Sequence, residues 1–173
     1  DPEKSIMHAP SMLQVAEIVG RTLNDVYVDV DDRMKRTDVS ASASMLLAGQ
    51  RLGGALRLFL VYREGNFIEA TDDTPFFQIG ETKYGRPILV RGFQSDMNFE
   101  SAVTLLMVSF DSTIAANLSV ALPLDMQILP KDVFEPMQQR RIVEDDPYFN
   151  SISDGWSDAL RQAFYSLPDY VIE

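Results

Sequence analysis

Residues 11–35 constrain the fold more than any other part of this sequence. Apolar residues recur there at helical spacing, with polar residues between them: Met12, Val15, Ala16, Val19, Leu23, Val26, Tyr27, Val30 and Met34. Ser11 and Gln14 form a capping-box pattern directly behind Pro10. The pattern predicts a long amphipathic helix with one buried face, which must pack against an apolar partner elsewhere in the chain.

Strands are predicted in quick succession after this helix. The candidate segments are residues 41–50, 56–62, 67–70 and 76–79, separated by short turns rich in glycine, asparagine and proline. Residues 56–62 are apolar on both faces, which predicts a central strand. Four strands with such short connections predict an antiparallel meander.

The second half of the chain adds helices and two further strands. Helices are predicted at residues 84–93, 98–116 and 153–167, and strands at residues 124–128 and 137–143. The helix at 98–116 is apolar nearly all round, which predicts burial between layers. The order helix, four strands, two helices, two strands, helix predicts an α+β fold in which helices cover stacked antiparallel sheets. It does not fit the strand–helix alternation of a Rossmann fold.

Composition excludes several classes of function. Fifteen basic and 26 acidic residues give a net charge of −11, which disfavours binding to nucleic acid. Cysteine is absent, so the chain has no disulfide framework and no thiolate metal site, as suits a reducing, cytoplasmic location. The densest apolar run, residues 102–110, is short and interrupted by Thr104 and Ser109, so no membrane span is expected.

Most of the common catalytic patterns are absent from this sequence. The single histidine, His8, precedes the first helix without obvious serine and carboxylate partners, which argues against a Ser-His-Asp triad. The sequence has no HExxH, P-loop or GxGxxG motif, and no metal or cofactor is expected. Asp145 and Asp146 could serve as metal ligands or as an acid–base pair. Their neighbours Pro147 and Tyr148 favour a structural turn instead.

The stretch 76–87 is the best candidate for a binding site. Apolar residues lead to Gly80, polar Glu81, Thr82 and Lys83 follow, and the apolar residues of the next helix come after them. This predicts a strand that stops at a glycine and turns into a helix, where free backbone N–H groups can hold a peptide or an anion. An ordinary strand-to-helix connection explains the same spacing.

Several long phrases of the sequence resemble one known family. They lie at residues 78–89, 108–113, 117–120 and 122–125, and at 144–149 before the helix that carries Trp156. These phrases are similar to those of the Anbu family, the bacterial "ancestral beta subunit" group of proteasome-like peptidases. The similarity covers nearly the whole chain.

The resemblance implies a fold and a chemistry. The fold is a four-layer α/β/β/α sandwich of antiparallel sheets, as in proteasome beta subunits and the HslV-type bacterial peptidase. The implied activity is hydrolysis of peptide bonds by an N-terminal threonine or serine, assisted by a lysine, an aspartate and a backbone oxyanion donor. The implied partners are peptides or unfolded proteins and further copies of the subunit, in a ring or a spiral.

The catalytic parts of that family lie in an N-terminal segment to which this sequence has no counterpart. The chain begins with Asp1, Pro2 and Glu3, and its long first helix resembles the second helix of the family. We therefore expect residues 1–173 to be the C-terminal portion of a single proteasome-subunit-like domain. No residue of this chain inherits the role of nucleophile, lysine, aspartate or oxyanion donor.

The resemblance leaves six candidate residues that support the site. Proteasome subunits have a Gly-Ser-Gly corner beside the nucleophile, and the matching position here is Gly80, Glu81 and Thr82, followed by Lys83. A second family segment, Asp-x-x-Ser-Gly-Gly, corresponds to the region of Asn117 and Ser119, without the aspartate and the paired glycines. The interpretation is thus a peptidase subunit. The alternatives are a non-catalytic assembly module and a small-molecule-binding α/β domain.

Overall fold

The computed structural model describes residues 5–34 and 43–172, apart from the side chains of Asp32 and Met34. Residues 41 and 42 of the first predicted strand therefore lie outside the described residues. The chain divides into two compact units. One contains Asp1–Gly80 and Leu129–Pro136, and the other contains Glu81–Ile128 and Met137–Glu173. We call them the first and second unit.

The first unit packs one long helix on a three-stranded sheet. Helix α1 spans Met12–Met34 and strands β1, β2 and β3 span Met45–Gly49, Arg57–Val61 and Phe67–Glu69. The sheet is antiparallel in the order β1-β2-β3. Its core joins the apolar face of α1 to Phe59 and Val61 of the central strand, both fully buried. The predictions of the amphipathic helix and of a central strand at 56–62 are therefore confirmed.

A glycine pair lets α1 approach the turn between β2 and β3. A Cβ built on Gly20 would lie 2.2 Å from the carbonyl oxygen of Gly65, closer than any side-chain atom can come. Gly65 itself has φ of +86°, a conformation that glycine adopts without strain. Asn24, one turn further along α1, donates from Nδ2 to the carbonyl of Arg63 at 3.5 Å.

The second unit packs helices against one face of a two-stranded sheet. Helix α2 spans Arg86–Gly92 and α3 spans Phe99–Ala116, strands β4 and β5 span Leu124–Ile128 and Gln138–Ile142, and helix α4 spans Pro147–Tyr165. The strands pair antiparallel. Met107 of α3, Ile142 of β5 and Phe149 of α4 form the core. Helices packed on antiparallel sheets in both units confirm the predicted α+β class.

One strand prediction is wrong. Residues 75–79 form no strand, so the first sheet has three strands instead of four, and the described chain has five strands instead of six. Thr71 and Thr74 close a tight turn through two backbone hydrogen bonds, and Pro75 follows without an N–H to donate. The segment before Gly80 is therefore a loop that reaches the corner without joining the sheet.

Two helix predictions also need correction. Helix α4 begins at Pro147, six residues before the predicted start, because Asp146 caps it. Helix α3 is not buried all round, since Leu106 and Phe110 are about 40% exposed. By length and composition alone α3 could also cross a membrane, which was not expected from the sequence, although it packs here against α2 and α4.

Candidate functional site

Gly80 sets the direction of the corner that precedes α2. Its φ of +79° is one that residues with a side chain rarely adopt, and a Cβ at this position would meet only open space. Glycine is therefore favoured here because of the backbone conformation, and not because neighbouring atoms leave no room for a side chain. Two residues on, the carbonyl of Thr82 accepts a hydrogen bond from the N–H of Arg86 at 3.0 Å. The Thr82 hydroxyl makes no hydrogen bond within the described part of the chain.

Glu81 connects this corner to the end of α3. One carboxylate oxygen accepts from the backbone N–H of Lys83 at 2.8 Å. The other accepts from Nδ2 of Asn117 at 2.9 Å, across 36 positions of sequence. Four of the six predicted site residues thus meet in one network, because Asn117 continues it to Ser119.

Asn117 completes the network on the far side. It caps the C-terminus of α3 by donating its backbone N–H to the carbonyl of Thr113 at 2.9 Å. Its Oδ1 accepts from both the backbone N–H and the hydroxyl of Ser119, at 2.9 and 2.7 Å. The N–H of Val120 donates to the Asn117 carbonyl at 3.1 Å, which closes a turn over residues 117–120. Both polar atoms of the Asn117 side chain therefore help to hold this turn and the corner together.

The pKa of Glu81 is lowered from its ordinary value. The main cause is the hydrogen bond from the N–H of Lys83. Desolvation opposes this effect, and the Asn117 amide, the positive charge of Lys83 and the N–H of Thr82 lower the pKa further. At neutral pH the side chain is a carboxylate whose two oxygens already accept hydrogen bonds. It is suited to hold structure and to attract a cation or an amide donor, and not to donate a proton.

A close contact between α2 and α3 fixes the other side of the corner. Gly85, the residue that caps α2, is buried against Ser109 and Thr113. A Cβ on Gly85 would lie 2.4 Å from the Ser109 hydroxyl oxygen and 2.9 Å from that of Thr113. This contact was not predicted from the sequence. The available signal was a glycine after the corner, together with small hydroxyl residues four positions apart on the next helix.

Asp146 has the structural role expected for the Asp145–Asp146 pair. Its Oδ1 accepts from the backbone N–H groups of Tyr148 and Phe149, both at 3.0 Å, and its Oδ2 pairs with Arg140. These contacts lower the pKa of Asp146, the bond from Phe149 most of all. The carboxylate therefore serves as the N-cap of α4.

The described residues contain no group of three or more histidine, cysteine, aspartate or glutamate side chains that could hold a metal ion. His8 is exposed and lines an open groove of about 450 Å³ with Glu17 and Arg21 of α1. The backbone N–H of His8 donates to the carbonyl of Ser5 at 3.1 Å, but no hydrogen bond among the described residues joins the His8 imidazole to a serine hydroxyl. The site that remains is the Glu81 network.

Comparison with known proteins gives strong structural relatives. No family model and no curated protein matches the chain. Anbu from Hyphomicrobium sp. strain MC1 is 44% identical with a TM-score of 0.84, over 97% of this chain and 68% of that one. Anbu, the ancestral beta-subunit, from Yersinia bercovieri is 45% identical with a TM-score of 0.87, over 99% and 71%. The chain in the helical assembly of the Anbu complex from Pseudomonas aeruginosa is 39% identical with a TM-score of 0.86, over 94% and 67%.

These matches confirm the resemblance that the sequence phrases indicated. Identity of about 40% over nearly the whole chain is accompanied by the same backbone fold. The predicted roles of the six site residues remain predictions, although the geometry brings Glu81, Lys83, Asn117 and Ser119 together. The chain belongs to the Anbu family of proteasome-related proteins.

Proposed function

We propose that this chain is part of a proteasome-type threonine or serine peptidase subunit whose nucleophile is supplied by a segment outside these 173 residues. Family membership supports a relation to N-terminal-nucleophile hydrolases. The nucleophile's hydroxyl attacks the peptide carbonyl, the amine product leaves, and water then releases the acyl group and restores the hydroxyl. In this chain, the corner and the turn joined by Glu81 and Asn117 would form one wall of that site.

An apolar sheet face is the observation that carries the proposal. Leu46, Leu60 and Ile68 lie in one row across the first sheet, on the face opposite the one that packs on α1. Leu46 and Ile68 are 41% and 45% exposed. Exposed rows of this kind are costly in water, since each buried leucine or isoleucine contributes about 1.5–3 kcal/mol. The matched structures are longer than this chain, which spans 67–71% of three of them, so their additional residues are available to cover such a face.

The test uses the subunit as it is produced from its complete reading frame. We expect its intact mass to exceed that of these 173 residues, and its mature N-terminus to be threonine or serine. We expect it to cleave a fluorogenic peptide, and replacement of that terminal residue by alanine to abolish turnover. A folded, active subunit whose mass equals that of this sequence alone would refute the proposal.

We also propose that the subunit assembles with further copies of itself, as the helical assembly of the Pseudomonas relative suggests. The first half of α4 packs in the second unit, but residues 158–172 are all exposed. Phe164, Tyr165 and Tyr170 are 70%, 81% and 90% exposed. Together they offer about 500 Å² of aromatic side chain, more than half of the roughly 800 Å² that a partner buries in a standard interface.

Light scattering after size-exclusion chromatography tests the assembly. The double substitution Phe164→Ser with Tyr170→Ser removes apolar contact area, so we expect the mass to fall towards that of smaller species. Asp158→Asn, which changes a polar side chain in the same exposed part of α4, is the matched control and should leave the mass unchanged. An unchanged assembly in the double variant would exclude this segment as the contact.

A non-catalytic assembly module is the second candidate function, since the hydroxyl of Ser119 in the network donates to the amide oxygen of Asn117, which is not a base. Assembly without any turnover of peptides would establish it.

The absence of cysteine also supports a proposed cytoplasmic location, which fractionation of cells that produce the subunit would test.

A further inference from the structure

We propose that Glu81 and Asn117 are positioning residues for the peptide, which act by holding the corner 80–83 and the turn 117–120 as one surface. This inference rests on the proposed function. It concerns the network, whose members are Glu81, Lys83, Asn117 and Ser119, and not the nucleophile. The Glu81 carboxylate and the Asn117 amide are 36 positions apart in sequence and 2.9 Å apart in the structure.

The hydrogen bonds of this pair favour a structural role over proton donation. The two oxygens of Glu81 each accept one hydrogen bond, from Lys83 N–H and from Asn117 Nδ2. Asn117 Oδ1 accepts two more from Ser119. The same bonds favour the ionised carboxylate. A group held in this way can fix neighbouring backbone, but it has no proton to donate at neutral pH.

The two connected segments each present a free group. Thr82, between Glu81 and Lys83, has a half-buried hydroxyl that no described residue bonds. Leu118, between Asn117 and Ser119, is fully exposed on the turn that the network closes. A hydroxyl and an apolar side chain on ordered backbone are the kinds of group that bind the amides and the side chains of an extended peptide. The network keeps their backbone in place before the peptide arrives, which reduces the entropy lost on binding.

The polarity of the network can be reversed, which gives a sharp test. In Glu81→Gln, one carboxylate oxygen is replaced by an NH₂ group, which cannot accept a hydrogen bond. Because Asn117 and Lys83 both donate to this side chain, one of the two hydrogen bonds is lost. In Asn117→Asp, two carboxylates face each other. When both substitutions are combined, the introduced glutamine amide donates to the introduced aspartate carboxylate, while Lys83 and Ser119 keep their acceptors. The double variant therefore restores the network with donor and acceptor exchanged.

The measurements are made on the complete subunit, with casein labelled by fluorescein. We expect each single variant to weaken casein binding, measured by anisotropy, and to lower kcat/KM for a fluorogenic peptide about 10- to 100-fold, as small misplacements of bound substrate do. We expect the double variant to lie within about threefold of wild type on both measures. Glu64→Gln, an exposed carboxylate in a turn of the first unit, is the control and should change neither.

Failure of this inference and failure of the proposed function give different results. A wild-type subunit that binds casein without cleaving it refutes the peptidase. The positioning role then still stands if the single variants weaken binding and the double variant restores it. Single variants that bind as tightly as wild type, a double variant no better than either single variant, or a wild-type subunit that does not bind casein would each overturn the positioning role.

Discussion

The two sheets of this protein differ in the polarity of their outer faces. The β1-β2-β3 sheet carries apolar residues on both faces: Phe59 and Val61 lie towards α1, on the face that also holds the Arg57–Glu69 ion pair, and Leu46, Leu60 and Ile68 lie on the other side. The β4-β5 sheet carries its apolar residues, Leu124, Met126, Ile128 and Ile142, on one face, together with Gln138 and Arg140. Its other face carries an Asp125–Arg141 ion pair at 2.9 Å, beside Gln127 and Gln139.

The contrast shows which outer sheet face is stable when exposed to water and which is not. A face of charged and amide side chains is satisfied by water. An apolar face needs a second layer, because its exposure costs hydrophobic free energy. The first sheet therefore points to a covering segment or partner, whereas the second sheet needs none on its polar face. The following predictions test this difference, from the largest effect to the smallest.

The helix–sheet contact of the first unit should tolerate no added atom. Gly20→Ala places a methyl group against the Gly65 backbone, so we expect a loss of about 3 kcal/mol in the free energy of unfolding. Gly155→Ala in α4 is the matched change, since a Cβ there meets open space, and should stabilise by about 0.5–1 kcal/mol. Urea titration monitored by circular dichroism measures both. Equal effects at the two glycines would contradict the close packing of α1.

The α2–α3 contact of the second unit should be tight but adjustable. Gly85→Ala crowds the hydroxyl of Ser109, a side chain that can rotate, so we expect a loss of about 1–2 kcal/mol. Adding Ser109→Ala removes the nearest atom and should recover part of that loss. Thermal unfolding of the single and double variants measures the recovery. An additive loss in the double variant would indicate that the Ser109 hydroxyl is not the obstacle.

The ion pairs of the two sheets should differ in strength. Arg57 pairs with Glu69 across the first sheet, and both side chains are about one-third exposed, whereas Asp125 and Arg141 are mostly exposed. We expect Glu69→Gln to cost about 0.5–1 kcal/mol, and Asp125→Asn about 0.2 kcal/mol or less.

The pH dependence follows from the hydrogen bond that Arg57 donates, which lowers the pKa of Glu69. The stabilisation is fully present above the unfolded pKa of about 4.5 and is lost as the pH falls through the lower folded value. Urea titrations between pH 7 and pH 3 should therefore show a smaller acid loss in Glu69→Gln than in wild type. An identical acid loss in both proteins would mean that the pair does not contribute.

The smallest effect concerns the outer faces directly. Ile68→Thr makes the exposed row of the first sheet more polar, so we expect these 173 residues to bind less of the dye ANS. Gln127→Thr on the polar face of the second sheet should leave the signal unchanged. A fall of about 20–40% in ANS fluorescence is expected if this row is a main part of the exposed apolar surface. Equal signals would mean that the dye binds elsewhere.

Much of the fold could be predicted from local patterns. Helical spacing over residues 11–35 predicted α1 to within one residue of each end, and Asn98 caps α3 where the predicted helix begins. The prediction was less successful where a segment has the composition of a strand but does not pair with another strand. Residues 76–79 have strand composition, but no neighbouring strand pairs with them. A strand depends on a partner distant in sequence, while a helix forms its hydrogen bonds within four residues.

The candidate site shows the same difference between properties of short segments and contacts between distant ones. The sequence by itself determined the family resemblance, the glycine of the corner and the residue types near it, because these are properties of short segments. Only the tertiary structure decided that Glu81 is bonded to Asn117, across 36 positions of sequence. In the same region α2 lies against α3 at Gly85, where the glycine backbone packs on the hydroxyls of Ser109 and Thr113, and such contacts depend on how distant segments pack.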